Sequence, residues 1–461
     1  MIVMKFGGSS FKDSESVQKA VSIIKENSFS NRIVVVSALY GVTDLLEQAL
    51  DASVTSEGHG AQTCAKLEML HDSFINDLIS GETVRNETAA AVHSRLTQLK
   101  RQLTGICYTQ EATPRIRDAV LSTGERLSAA LVAGCLRDQG VEAAAVHSDD
   151  VGLMAQGEWG NGTAVLDKAK ARACPVLRSL LAKSVLPVVT GFFGVTEQGH
   201  TITFGRGGSD YAAAVLARIM GASYLEIWKD VQGFLTGSPD IVDNARLLSS
   251  LSYEEAAELA YFGAKILHPR TMEPLAEKEI PIVIRSTFHQ ESPGTWIGPD
   301  AYEKERVAKS VTFDSNVALL RIYGANIGYA VHLLSDIVTI LGDEGINIRS
   351  VFTAQTCINI LLNGRDLNRA YEIVGRKQLA SVEAVEKSER LGLVAIAGHG
   401  MGRKKDVVSE AFACLTRNNI QVELVMSGAS KVASYFLLQE SKVHDAMGII
   451  HTQLFSECLD Q

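Results

Sequence analysis

The stretch "TITFGRGGSDYAAAVLARIMGA", residues 201–222, sets a β-branched run, a turn with three glycines and an alanine-rich helical run end to end. A glycine-rich turn that opens a helix is an anion cradle, because backbone N–H groups at the positive end of the helix are free to face a phosphate. Ser209 or Asp210 would cap that helix, and Gly205, Gly207 and Gly208 would leave the backbone donors uncovered. The spacing is neither the dinucleotide G-x-G-x-x-G nor the P-loop pattern. The turn also carries Arg206 and Asp210, and a loop with both charges needs a ligand with both anions and cations.

Outward from this turn, the first 300 residues alternate apolar, β-branched stretches with helical ones. "IVMKFGG", "RIVVVSAL", "LPVVTGFFG", "YLEIWKDV" and "IPIVIRST" read as buried strands. Between the first two, Val17, Ala20, Val21 and Ile24 form one helical stripe behind Asp13 or Ser14 as N-cap. Such alternation predicts an α/β fold with a mostly parallel sheet sandwiched by helices, ligands collecting at the carboxyl ends of the strands. Residues 51–120 are polar and helical and read as an accessory layer or lid. Proline, glycine and charge gather at 289–309, which places a boundary near residue 305.

Beyond that boundary the sequence repeats. "LLRIYGANIG" (319–328) matches "LVAIAGHGMG" (393–402) without gaps, and the same offset carries Leu341 onto Leu415, Ile346 onto Ile420 and Ile348 onto Val422. Each copy reads strand, glycine turn, amphipathic helix, strand, strand, which predicts two small α+β modules, 315–385 and 388–461.

The totals restrict the chemistry. With 461 residues, a formal net charge of -9 and 46% hydrophobic residues, the chain is a multi-domain globular protein with small soluble ligands as the expected partners. Its seven scattered cysteines never form a C-x-x-C pair, so neither a disulfide framework nor a zinc site is expected. No apolar run reads as a bilayer span and no signal peptide opens the chain, so a cytoplasmic location is expected.

Three further motifs carry chemistry. "KFGGSS" ends a strand at Gly7-Gly8 with Lys5 beside it, so its backbone can approach a phosphate closely. In "LSTGERLSAALVAG", Glu125 either completes a capping box with Ser122 or, opposite Arg206, holds the ammonium of a zwitterion; the residues alone leave both open. "SYEEAAELAYFGAKILHP" begins with a capping box, Ser252 with Glu255, and puts Lys265 at the helix end before a structural His268.

In order, "KFGGSS", "VVVSALYGVTDLL", "STGERLS", "GFFGVTEQGHTITFGRGGSDYAAA", "IWKDVQGFLT" and "ELAYFGAKILHPRTMEP" resemble the aspartate kinase family of the amino-acid kinase superfamily, and the duplicated tail resembles its pair of ACT domains. The resemblance implies a kinase domain over 1–305 that uses ATP and Mg2+ to phosphorylate the β-carboxylate of L-aspartate. This would open lysine, threonine and methionine synthesis. It implies Arg206 on the substrate α-carboxylate, Glu125 on its ammonium, and Ser37 and Thr43 orienting its side chain. Lys5, Gly7, Gly8, Ser9, Gly207, Gly208 and Ser209 would surround the phosphates, with Lys229, Asp230 and Lys265 on the nucleotide side. Asp210 would orient Lys5 and the metal, the magnesium being held mainly by the ATP phosphates. A homodimer with an amino-acid effector at the ACT pair is implied, the second ACT unit inserted into the first.

One segment departs from the family pattern: "KDVQGFLTGSPD" puts Lys229, Ser238 and Asp240 where "TDVxGxxTxDPR" has Thr, Asp and Arg. Lys229 is expected to compensate and Asp240 to turn outward. Other readings are a kinase relative with another acceptor, or an amino-acid sensor that has lost turnover.

Overall fold

The structure is a computed structural model that describes residues 1–29, 31–55, 58–264, 266–299, 307–377, 379–399, 401 and 406–455. Lys265 and the boundary expected near residue 305 lie outside the described residues. The chain divides into two units, Met1–Phe234 with Leu247–Ala257 and Lys265–Tyr302, and Leu235–Arg246 with Glu258–Ala264 and Glu303–Gln461.

The first unit is built on an eight-stranded sheet. In chain order its strands are β1 (Ile2–Phe6), β2 (Arg32–Val36), β3 (Ala143–Val146), β6 (Leu186–Thr190), β9 (Leu225–Lys229), β10 (Ser250–Leu251), β11 (Ile282–Ser286) and β12 (Thr295–Ile297). Two hairpins, β4 (Ala155–Glu158) with β5 (Asn161–Ala164) and β7 (Phe193–Val195) with β8 (Thr201–Thr203), stand apart from it. Spatial order is β10-β12-β11-β9-β1-β2-β6-β3, and every pairing is parallel except β11 with β12. The five strands expected from the apolar runs are the five contiguous inner ones, β11-β9-β1-β2-β6. Only strands covered on both faces need a continuous apolar run, so the short edge strands carry no such signal.

Alternation along β1 positions the chemistry. Ile2, Met4 and Phe6 join the core with α1 (Ser14–Glu26), α2 (Val42–Thr55), α3 (His59–Leu78), α4 (Glu82–Thr109), α5 (Pro114–Leu121) and α6 (Thr123–Asp138). Lys5 therefore projects from the other face, where α8 (Gly208–Met220) packs on β1, β2 and β9, beside α7 (Leu166–Ala182). Four alanines of α8, at 212, 213, 214 and 217, are fully buried, and their small size lets the helix lie close on the strands. Asp13 is the N-cap of α1 and accepts from Ser16 N at 2.8 Å.

Two expectations change here. Pro114–Asp138, across α5 and α6, is long and apolar enough to cross a membrane, contrary to the reading that no run was. Nearly all of its most apolar stretch is buried, and a helix surrounded by core is apolar on every side. Nor does Ser209 or Asp210 cap α8: the N-cap is Gly207, without a side-chain cap, which leaves both polar groups free to point elsewhere.

The second unit carries a six-stranded antiparallel sheet of order β14-β15-β13-β16-β18-β17. Its strands are β13 (Ser310–Tyr323), β14 (Ile348–Thr353), β15 (Cys357–Asn363), β16 (Ala384–Ala397), β17 (Val422–Ser427) and β18 (Ala433–Gln439). Helices α11 (Leu333–Asp343) and α12 (Leu367–Arg376) cover one core, and α13 (Asp406–Arg417) and α14 (Val443–Phe455) another. The short helix α9 (Tyr253–Tyr261) begins in the first unit and ends in the second, and α10 (Glu273–Ala276) belongs to the first. Ser252 and Glu255 form the expected capping box, Ser252 N donating to Glu255 Oε2 at 2.7 Å and Glu255 N to Ser252 Oγ at 3.1 Å.

The linear repeat is not the spatial division. Register shifts near Asp314 and Val317 split β13 in two. Residues 317–323 pair with β15 and with 384–391 and feed the first core, whereas 310–314 pair with 393–397 and Val311 joins the second. The sharing thus runs opposite to the expected insertion: the second module takes its edge strand from residues preceding the first. A four-stranded module needs a strand beside β16, and the start of β13 supplies it.

Candidate functional site

Where β1, β2, α6 and α8 converge in the first unit lies a cavity of about 700 Å³, within the usual range for small-molecule sites. Lys5, Gly8, Ser37, Thr43, Glu125, Arg206, Gly207, Gly208, Ser209 and Asp210 all line it.

The turn of residues 205–210 is shaped by backbone. Gly205 and Gly207 have φ of 74° and 72°, the left-handed region that favours glycine. A Cβ on Gly207 would meet His268 Cβ at 2.4 Å, so glycine is required there twice over. His268 is structural as expected, its Nδ1 accepting from Arg270 N at 3.3 Å at the start of a short 3-10 turn.

With Gly207 as cap, Ser209 and Asp210 fall in the first turn and face opposite neighbours. Ser209 Oγ donates to Glu125 Oε1 at 3.3 Å. Asp210 Oδ1 lies 2.5 Å from Lys5 Nζ and its Oδ2 lies 3.1 Å from Lys229 Nζ. Burial alone would raise this carboxyl, but the two ammonium groups outweigh it and hold Asp210 at about 2. Lys5 is itself pulled below the ordinary lysine range, by burial first and by Lys229 as well.

Glu125 resolves the alternative left open by the sequence. Ser122 makes no cap for α6 and donates instead to Ala119 O at 2.8 Å, so no capping box forms. The carboxyl of Glu125 is 3% exposed, and burial pushes it up to about 7. Backbone groups of Ala38 and Glu125 and the Ser209 hydroxyl partly offset that burial, and Glu125 lines the cavity. Arg206, exposed on the same cavity, supplies the opposite charge.

Gly7 and Ser9 continue from β1, and Ser9 Oγ donates to Asp230 Oδ1 at 3.2 Å. A Cβ on Gly8 would lie 3.2 Å from Ala38 O. Asp240 is exposed. Lys229 sits on Asp210, and also donates to Ile266 O.

Sequence reasoning missed Asp118, a buried cavity residue that accepts from Thr203 N (2.8 Å), Thr203 Oγ1 (2.9 Å) and Gly160 N (3.0 Å). It ties α5 to β8 and the turn before β5. The adjoining Arg117, together with Asp44 and Glu47, also lines the cavity. Nothing in "RIRDAVL" distinguishes Asp118 from a solvated helix acid.

A glycine turn opening a helix at the carboxyl end of a parallel sheet, beside a paired lysine and aspartate, fits the class of small-molecule kinases. The chain belongs to the amino acid kinase family, whose pattern matches residues 1–286, and residues 394–454 match an ACT domain. Among curated relatives, aspartokinase 1, chloroplastic, of Arabidopsis thaliana is 29% identical over 98% of this chain and 80% of its own. The lysine-sensitive aspartokinase 3 of Escherichia coli K12 is 28% identical over 99% of both. The solved structure of E. coli aspartokinase III in complex with aspartate and ADP (R-state) superimposes with a TM-score of 0.84 at 26% identity, over 99% of this chain and all of that one.

Proposed function

We infer that this chain is an aspartate kinase: it transfers the γ-phosphoryl group of ATP to the β-carboxylate of L-aspartate, giving 4-phospho-L-aspartate for lysine, threonine and methionine synthesis. The observation that carries this reading is the buried carboxyl of Glu125 in the wall of a cavity that also holds Arg206 and Lys5. An ammonium on Glu125 and an α-carboxylate on Arg206 would fix an amino acid by its backbone groups and leave its side chain for Lys5. Ser37 and Thr43 line the same cavity and would orient that side chain.

An aspartate β-carboxylate, with a pKa of about 3.9, is ionised at neutral pH and needs no general base. The barrier is the approach of two anions, so catalysis is positioning and charge neutralisation. Lys5 would neutralise the acceptor and the transferred group. Gly7, Gly8, Gly207, Gly208 and Ser209 would offer donors to phosphate oxygens, with Ser9, Lys229, Asp230 and Lys265 on the nucleotide side. Magnesium bound to the nucleotide phosphates would supply further neutralisation. Asp210 has both oxygens on ammonium groups and so fits the orientation of Lys5 better than direct metal ligation.

The ACT pair would bind an amino-acid effector and join a homodimer, and the enzyme would work in the cytoplasm. Coupled ADP release with L-aspartate, glutamate, acetylglutamate, carbamate and UMP, repeated with lysine, threonine and methionine, tests the reading. Release with L-aspartate alone is the expected result. Another active acceptor would reassign the substrate, and no turnover with any would leave an amino-acid sensor.

A further inference from the structure

Asp210 is held from two sides by two strands. The register of β1 with β9 sets Lys5 against Ile227, so Lys229, two residues on, shares the face of Lys5. Each lysine takes a different carboxylate oxygen, and Lys229 Nζ also donates to Ile266 O. The side chains of Lys5 and Asp210 are 5% and 6% exposed, against 18% for Lys229.

A carboxylate with one partner retains a broad terminal torsion, whereas one gripped through both oxygens cannot turn without breaking a contact. Two ammonium groups on one carboxylate also leave a net positive charge at the cradle. We propose that Lys229 is a positioning residue for phosphoryl transfer: by holding Oδ2 of Asp210 it fixes Oδ1, and Lys5 with it, at the cavity rim, and keeps this trio net positive toward the incoming phosphoryl group. The proposal rests on the reading of this cavity as a phosphoryl-transfer site. Lys229 does not line the cavity itself, so it acts through Asp210 and Lys5 and not on the acceptor.

The charged groups facing Lys5 are Asp210 from α8, Lys229 from β9 and Glu125 from α6. Removing Lys229 takes away a charge that opposes protonation of Lys5, so Lys5 should lose its proton at a higher pH.

The test uses the full chain with Lys229→Met and Lys229→Arg. Lys229→Met is expected to lower kcat about tenfold, equivalent to about 1.4 kcal/mol of transition-state stabilisation, with the aspartate KM within about twofold. The alkaline limb of its pH–rate profile should move upward, and Lys229→Arg should recover most of kcat and return the limb. A kcat within about twofold of wild type in Lys229→Met overturns the proposal, as does an unmoved limb or an Arg variant no better than Met. If Lys229→Met does not fold, Lys229→Gln serves the same readouts. Titration of the Lys5 13Cε resonance needs no acceptor substrate: a higher midpoint in the neutral variant supports the proposal, and an unchanged one overturns it. Absence of aspartate turnover in the wild type would instead count against the assigned reaction.

Discussion

Lys5 Nζ lies 2.5 Å from Asp210 Oδ1, with both side chains almost fully buried at the meeting of the central strand and the helix opened by the glycine turn. The carboxylate also serves Lys229, so the two partners of this ion pair are not equivalent. Lys5→Met leaves Asp210 paired, and it should cost at least about a hundredfold in kcat while the fold survives. Asp210→Asn leaves the buried Lys5 and the half-buried Lys229 without their shared carboxylate and should destabilise by about 3 kcal/mol besides abolishing turnover. Urea unfolding of both variants checks the order; a larger loss in Lys5→Met would contradict the shared carboxylate.

Glu125 ties substrate binding to stability. Its carboxyl rises from 4.5 to about 7 on folding, so its stabilising contribution is fully present below pH 4.5 and is lost as pH rises through about 7. A shift of that size corresponds to about 3 kcal/mol. Glu125→Gln should therefore flatten the pH dependence of unfolding between those values and be the more stable protein at pH 8. Its aspartate KM should rise at least about tenfold, as expected when a buried charge partner is lost. Denaturant unfolding at pH 5 and pH 8, beside steady-state kinetics, measures both.

Gly207 meets two separate constraints, its positive φ and the neighbouring His268 Cβ. Gly207→Ala should cost about 1 kcal/mol from the backbone and about 1–3 kcal/mol from the clash. Adding His268→Gly, which removes the clashing Cβ itself, should recover only the second part. Thermal unfolding of the single and double variants separates the two, and full recovery would show the φ constraint to be negligible.

Asp240 is exposed, and an exposed charge contributes little, about 0–1 kcal/mol. Asp240→Arg should shift the ATP KM by less than about threefold. A tenfold improvement would show that the acid repels nucleotide and that Lys229 does not compensate.

Much of the architecture was legible in the order of residues. Five apolar runs became the five inner strands, because strands covered on both faces must be apolar throughout. The glycines of 205–208 announced their turn, since few other residues tolerate its backbone. Edge strands and the Pro114–Asp138 helices misled or gave no signal, because local hydrophobicity does not say what covers a segment.

The motifs marked residues that share one cavity, but not the partners of each. Lys5, Glu125, Arg206 and Asp210 were each marked by their motifs, and all four line one cavity. Whether Glu125 completed a capping box or bonded Ser209 beside the cavity, and whether Asp210 capped α8 or bound Lys5, depended on groups more than eighty or two hundred residues away in the chain. Asp118 carried no signal, because its hydrogen-bond partners come from β8 and the turn before β5. Composition, periodicity and turn chemistry act between near neighbours, and these the sequence by itself determined: the strands, the helices and the glycine cradle. Only the tertiary structure decided the pairing of one carboxylate with two lysines, the burial of Glu125 in the cavity wall and the edge strand lent across the ACT pair. Those depend on strand register and helix packing, which bring distant residues within a hydrogen bond's length.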